Sequence, residues 1–329
     1  MTVVEARGRD DAAEILGETV RRRIAVILNP ASGRRREDVW RATLDSLRVR
    51  GCEIDLQRTD GPGAAGRLAW RFCAAKPDVL VVAGGDGTIN EAINGLMQGV
   101  SGVSDTTTLP PLAVVPIGTA NVLAAELGIP SGAQRIADAI LDGPARPVTL
   151  GRIAGPDPAR DEADARYFVL MAGVGFDARV CAAVDLKLKR RLGKGAYVWA
   201  GLRQMAASAS FGYRVKVDGT SYPAHSVIVA NGRYYAGRHV LAPKARLEAP
   251  DFQVCLFERC GVWHTIRYAL GLYRGALSSF PDVRIISAEA LTIAGPDSEP
   301  VQADGDSVTR LPVSIKALPH ALRLITPPA

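Results

Sequence analysis

The chain has 329 residues, 47% hydrophobic and 22% charged, an ordinary globular composition and enough chain for two domains sharing a cleft. Its net charge of +6 suits an anionic membrane surface or nucleic acid, and plain cytosolic proteins carry as much. Five scattered cysteines without a CxxC pair and four dispersed histidines argue against a disulfide framework and a zinc site. Glu5, Asp10, Asp11, Glu14 and Glu18 argue against a secretory leader, and no run reaches the roughly 18 uncharged apolar residues of a spanning helix.

Residues 1–20 read as an appended arm. Arg23–Asn29 (RIAVILN) is a short apolar run ending in NPASG, the pattern of a buried strand feeding a turn. Val39, Trp40, Leu44 and Leu47 have helical spacing over 37–50, Cys52–Arg58 alternates like a strand, and Ala64–Ala75 is predicted helical. Asp78–Gly84 (DVLVVAG) is a second apolar strand, after which GDGTINEAINGLMQG opens a helix. Leu112–Gly118 (LAVVPIG) is a third, with TANVLAAELG helical behind it. Apolar strands alternating with helices predict an α/β domain over 21–150, built on a parallel sheet covered on both faces.

From 151 to 319 the pattern becomes mainly β. Tyr167–Gly175, Gly212–Gly219, His225–Gly232, Phe252–Glu258, VRIIS, ALTIAG and LPVSIKAL read as strands, most of them separated by turn residues. They predict a C-terminal β-sandwich, with helices near 176–208 and 262–277. The change in composition over Pro147–Gly155 marks the boundary.

Gly84-Gly85-Asp86-Gly87-Thr88 directly follows a buried strand and opens a helix. Consecutive glycines let backbone approach a polyphosphate, and a helix N-terminus offers it unpaired N–H groups. Asp86 is an acid where phosphate should sit: it can reach a magnesium ion through water, stabilise the glycine turn, or act as a helix cap. At the carboxyl edge of a parallel sheet, this turn, NPASG (Asn29–Gly33) and PIGTANVLAAELGIP (Pro116–Pro130) would form one phosphate crevice. None matches GxxxxGK[ST] or GxGxxG. Asp304-Gly305 is, taken alone, a hairpin signal.

In this order and spacing NPASG, GGDGTINEAINGL and PIGTANVLAAELG resemble the diacylglycerol kinase catalytic-domain family, which includes bacterial lipid kinases and is related to sphingosine and ceramide kinases. Val301–Asp306 (VQADGD), with LPVSIKALPHALRLITP behind it, resembles that family's closing segment. The resemblance implies an ATP-binding α/β domain, a β-sandwich that holds the lipid, an active site between them, and a return of 320–329 to the first domain. It implies that Gly84, Gly85, Asp86, Gly87, Thr88, Ile89 and Asn90 bind ATP phosphates and that Thr59 and Thr119 line the nucleotide. Asn29, Ser32, Gly33, Glu91, Gly118, Asn121 and Asp306 are further nucleotide contacts on the same ground. Asp86 is implied to reach Mg2+ through water, and Asp304 to be the general base that a lipid hydroxyl needs when it attacks the γ-phosphorus.

Three positions depart from the family pattern. Asp306 stands where Glu is usual, and Val122 where many relatives have Asp. Leu247-Glu248-Ala249-Pro250-Asp251-Phe252 lacks the Asp-Gly of a loop that can hold structural magnesium, with Asp251 a substitute one residue away. Lys187, Lys189, Arg190, Arg191 and Lys194, with Tyr197, Trp199 and Arg203, suit an interface with anionic lipid or a solvated stretch that caps a helix.

The expected activity is transfer of the ATP γ-phosphate to a membrane lipid hydroxyl. Diacylglycerol is the default acceptor, and ceramide, a sphingoid base or another lipid alcohol the alternatives. A soluble-substrate kinase competes with this reading, since NAD kinases and 6-phosphofructokinases share GGDGT by resemblance, as does a weakened lipid-binding regulator. Expected partners are ATP, the lipid and an anionic membrane surface approached from the cytoplasm, with a homodimer left open and no nucleic acid.

Overall fold

Strands β1 (Arg23–Leu28), β2 (Glu53–Arg58), β3 (Val79–Gly84) and β4 (Leu112–Pro116) pair in parallel in the order β2-β1-β3-β4. In this computed structural model, which describes residues 22–32, 36–99, 108–155, 165–183 and 212–328, the central three are almost wholly buried. That burial explains their unbroken apolar sequences. Edge strand β2 instead exposes Glu53, Asp55 and Gln57, which discourages further pairing. The predicted arm over 1–20, Gly33 and the basic segment Lys187–Arg203 lie outside the described residues.

Ile24, Val26 and Leu28 pack against α1 (Glu37–Val49) and α5 (Ala133–Asp142) through Leu44, Leu47, Ile136 and Ile140. Ala25 and Ile27 turn the other way, towards Ala65, Ala69 and Phe72 of α2 (Ala64–Ala75) and Ile89, Ile93 and Leu96 of α3 (Asp86–Gly99). The period-2 alternation of a strand thus feeds two helical layers. The short α4 (Val122–Glu126) follows β4.

The second half is the predicted antiparallel sandwich. One sheet runs β14 (Val283–Ala288), β13 (Phe252–Phe257), β10 (Ser226–Ala230), β7 (Met171–Val174), β16 (Pro300–Ala303) and β17 (Asp306–Arg310). Facing it are β18 (Val313–Ile325), β15 (Ala290–Ala294), β8 (Tyr213–Val217) and β9 (Thr220–Ala224), with β5 (Ala145–Ala154) and β6 (Arg166–Phe168) beside β18. Phe168, Phe252, Val215 and Ile293 are central to the core between them. Helices α6 (Phe176–Ala183) and α7 (Val262–Tyr273) and the small ribbon β11 (Tyr234–Tyr235) with β12 (His239–Val240) complete the described chain.

Two strands differ from the sequence expectation. LPVSIKAL and the segment after it form one strand, β18, whose Leu324 pairs in parallel with Leu112 of β4. Its earlier residues pair with β15 and, along nearly its whole length, with β5. The two domains therefore share one ten-stranded sheet, and the expected 150/151 boundary falls inside β5. The change in composition over Pro147–Gly155 made β5 read as a boundary. Gly151 has a packing reason instead, because a Cβ there would lie 2.0 Å from the Phe168 ring.

Tyr167–Gly175 was expected as a single strand and is two. β6 and β7 belong to different sheets, and the chain crosses between them at Val169-Leu170. Because the sheet is continuous, Phe168→Ala should cost about 3–5 kcal/mol and destabilise both domains in one transition. Urea curves followed by circular dichroism and by tryptophan fluorescence should coincide; separated curves would show that the domains unfold independently.

Candidate active site

The carboxyl ends of β1, β3 and β4 lie side by side, and so do the turns that follow them. Asn29 bonds the Ala83 carbonyl through its N–H (2.9 Å) and Thr88 Oγ1 through its side-chain amide (2.8 Å), tying NPASG to GGDGT. Its Oδ1 accepts the Ala31 N–H at 3.0 Å, and its carbonyl accepts the Ser32 N–H. Thr59 is brought to the same edge by its N–H on the Leu28 carbonyl, 2.9 Å.

The glycines serve the meeting of these turns. A Cβ on Gly85 would stand 3.2 Å from Gly118 Cα, and one on Gly118 would stand 2.4 Å from Gly85 Cα. The GGDGT and GTAN turns touch backbone to backbone there, which only glycine permits.

Asp86 opens α3, and its Oδ1 accepts the Leu123 N–H at the start of α4, 3.1 Å. It therefore joins two turns by accepting from α4 and does not cap its own helix, and Oδ2 has no partner among the described residues. Asn121 holds φ +51 and donates to the Gly118 carbonyl at 2.8 Å, while its Oδ1 is buried without a partner. Arg36, which the sequence reading passed over, donates to the Pro116 carbonyl at 3.0 Å and places a guanidinium at the crevice. Thr119 is exposed beside it.

Ile89 is corrected. It is 1% exposed, packs in the core, and its N–H is spent on the Gly85 carbonyl, so it presents neither side chain nor donor to a ligand. Glu91 lies further along α3, and its carbonyl stands 3.0 Å from the position of a Cβ on Gly66 of α2.

Asp304 is the tip of the β16–β17 hairpin, with φ +47 followed by Gly305 at +89, so the hairpin reading holds as well. Its carboxylate nevertheless points inward. Oδ1 accepts the N–H groups of Leu170 and Met171, each at 2.9 Å. Oδ2 accepts the Val169 N–H at 2.8 Å and the Asn90 amide at 2.7 Å. Burial pushes this acid up to about 6, against the pull of all those donors. Asn90 also donates to the Tyr167 carbonyl (3.1 Å), and Asn94, one turn later, brackets Tyr167 from both sides. Asn90 thus binds the second domain with its side chain. The neighbouring Asp306 sits over α3, its Oδ2 3.5 Å from where a Cβ on Gly87 would lie.

Two acids, Asp177 and Glu126, support this arrangement from positions that sequence reading did not single out. Asp177, in the first turn of α6, accepts from the Tyr235 hydroxyl and from Gln302 Nε2, and Gln302 Oε1 accepts the Gly305 N–H (2.9 Å). Burial raises the carboxyl of Asp177. Gly173-Val174-Gly175-Phe176-Asp177 repeats the signal that marked Asp86, an apolar strand, glycine, then an acid opening a helix. Glu126 of α4 accepts the N–H groups of Arg233 (2.7 Å) and Tyr234 (3.3 Å), a second tie between the domains. Asp251 gains no companion: among the described residues no three His, Cys, Asp or Glu converge. The carbonyls of Leu247 and Ala249 in that loop receive the N–H and hydroxyl of Thr149.

A parallel-sheet domain with glycine-bearing turns at its carboxyl edge is bonded to an antiparallel sandwich through Asp304, and this two-domain architecture has known relatives. Residues 23–153 match the diacylglycerol kinase catalytic domain, and 171–326 match the YegS C-terminal NAD kinase beta sandwich-like domain. A diacylglycerol kinase of Staphylococcus epidermidis is 26% identical over 94% of this chain and 93% of its own. One from Bacillus subtilis is 28% identical over 93% and 97%. A crystal structure described as a diacylglycerol kinase from Bacillus anthracis strain Sterne superposes with a TM-score of 0.72 at 23% identity, covering 94% of this chain and 99% of that one. The two matches together span most of the chain, which belongs to the diacylglycerol kinase catalytic-domain family and is a kinase.

Asn90→Asp would set a second carboxylate against Asp304, so that one of the pair must hold a proton. A raised acid contributes stability while protonated and loses it as pH rises through its folded value. The variant should be roughly 1–3 kcal/mol less stable than the parent at pH 8 and recover most of this at pH 5, read from urea midpoints. Equal losses at both pH values would show the two side chains apart.

Proposed function

We propose that the protein transfers the γ-phosphate of ATP to the hydroxyl of a lipid at a membrane surface, working peripherally from the cytoplasm. Diacylglycerol is the first acceptor to test, because it gives the relatives their name. The observation that carries the proposal is the bond from Asp304 to Asn90, which joins the sandwich hairpin to the helix opened by GGDGT. A hydroxyl held by the sandwich and a phosphate held by the helix would meet at that bond.

The first-turn N–H groups of α3 attract the phosphates, with Arg36 adding a positive charge at the crevice. Asp86 Oδ2 and the unpartnered Asn121 Oδ1 are oxygen donors of the kind a hydrated magnesium ion takes, so the residues present fit that metal. Magnesium, when bound, supplies neutralisation of charge on the transferring phosphate.

Asp304 takes the hydroxyl proton. Its acceptor sites being filled, it trades the Asn90 amide for the incoming hydroxyl, and a value near 6 keeps it ionised at neutral pH. A second reading is favoured by the same four bonds: Asp304 acts as a lock, and the open oxygen of Asp86 accepts the proton.

Labelled ATP offered with diacylglycerol, ceramide, a sphingoid base and NAD should mark a lipid; label in NAD alone would overturn the proposal. Asp304→Asn should lower the rate by about 10²–10⁴ with ATP affinity unchanged. In the parent, the rate should fall as pH drops through about 6, because the protonated acid cannot accept a proton, and this limb should vanish in the variant. Survival of the limb in the variant would assign the base to another group.

A further inference from the structure

Seven large apolar side chains stand exposed among the described residues, and five belong to α7 and its first turn. Trp263, Ile266, Leu270 and Tyr273 are 82, 36, 47 and 76% exposed, with Val262 at 38% beside them. At helical spacing these five fall within about 100° of arc, one continuous stripe. The opposite face is the one the fold uses: Tyr268 and Leu272 pack on the core, and buried Gly271 lets Phe280 close against the helix. An amphipathic helix needs only one apolar face to be held in place, and among the described residues the outer stripe is left largely uncovered.

Within the helix and its two flanking arginines the charges have one sign, with Glu258 just outside and paired to Arg284. From Arg259 to Arg274 the sequence holds Arg259, His264, Arg267 and Arg274 and no Asp or Glu. Asp282, from the next turn of chain, meets Arg267 and His264 on the flank, which leaves an arginine at either end of the helix. Trp and Tyr at the two ends of an apolar stripe, with arginines outside them, is the pattern of a helix lying in a bilayer interface. No described helix is long and apolar enough to cross a membrane. The outward end of α7 is also continuous with the site. Tyr273 meets the ring of His239 on β12 at 5.7 Å, and β12 pairs with β11, whose Tyr235 holds Asp177 and whose Tyr234 N–H holds Glu126.

We propose that α7 is the helix by which the protein rests on an anionic lipid bilayer, with Trp263, Ile266, Leu270 and Tyr273 in the acyl boundary and Arg259 and Arg274 among the headgroups. The proposal rests on the lipid-kinase reading and adds to it the face presented to the membrane. It concerns a different segment from the basic stretch Lys187–Arg203.

The test is sedimentation of the full chain with vesicles of phosphatidylglycerol and phosphatidylcholine, without nucleotide. Trp263→Ser with Leu270→Ser should lower partitioning by about tenfold or more, since each exchanges a buried apolar side chain for a polar one. Arg259→Gln with Arg274→Gln should lower it on phosphatidylglycerol vesicles and leave pure phosphatidylcholine unaffected. Both variants should phosphorylate a short-chain, monomeric lipid alcohol at the parent rate and lose at least tenfold on the vesicle-borne one. Unchanged partitioning in both variants overturns the proposal. So does a serine variant that turns a dimer into a monomer while still sedimenting with vesicles, because α7 then covers a second copy of this chain. Partitioning through α7 by a protein that phosphorylates no lipid supports the surface and overturns only the kinase reading.

Discussion

A carboxylate withdrawn from water into the joint between two domains costs several kcal/mol unless its lone pairs are filled, and those of Asp304 are filled four times over. Three of the donors are successive backbone N–H groups, at Val169, Leu170 and Met171. A strand running straight through Tyr167–Gly175 would spend alternate N–H groups on a neighbour and could not turn three of them towards one acid. The break between β6 and β7 is what frees them. The fourth donor, Asn90, comes from the helix that the glycine turn opens. One side chain therefore ends a strand, holds a non-glycine residue at positive φ in the hairpin, and sets the position of one domain on the other.

Much of this was legible in the sequence. The strands β1, β3 and β4 announce themselves because burial on both faces leaves no polar residue to interrupt them, and the turns after them carry the glycines and Asn29 that the touching loops need. The three motifs were found for sound reasons, yet several of their residues act on one another before they act on a ligand. Gly85 and Gly118 make room for each other, and Asn29 and Thr88 are bonded together. A motif records a requirement for a residue type without recording whether the partner is solute or protein. Ile89 shows the opposite limit, since a helix opened by a binding turn must also be anchored, and every third or fourth residue serves the core.

Other features were illegible because their meaning depends on distant chain. Gly151 weakens a strand pattern, and only the Phe168 ring opposite explains it. Glu126 reads as a solvent-facing helical acid until the N–H groups of Arg233 and Tyr234 are placed against it. The length of β18 was hidden by Pro319 and by His320, which adopts φ +56 where the register with β5 shifts between Leu318 and Leu322. Gly151 and Phe168 lie in neighbouring strands, and the other contacts join residues about a hundred or more apart in sequence, where local propensity carries no information.

The joint decides which motions are open to the enzyme. Two domains connected by a flexible segment could swing apart freely, but here β5 and β18 run through the boundary as a paired ladder with one irregularity. The interruption of that ladder is the irregularity at Leu318–Leu322, so bending between the domains has its softest place there. Opening about that point must separate Asp304 from Asn90 and Glu126 from the backbone of Arg233 and Tyr234. Both are carboxylates raised by burial, one reaching from the sandwich into the first domain and the other the reverse way. Exposure to water relieves part of the desolvation of each as the donors across the joint are lost, Asn90 from Asp304 and the two backbone N–H groups from Glu126, so the two terms offset and the cost of opening stays modest. Apolar contacts in the same two places would not provide that balance, because their exposure to water carries a cost with no such offset.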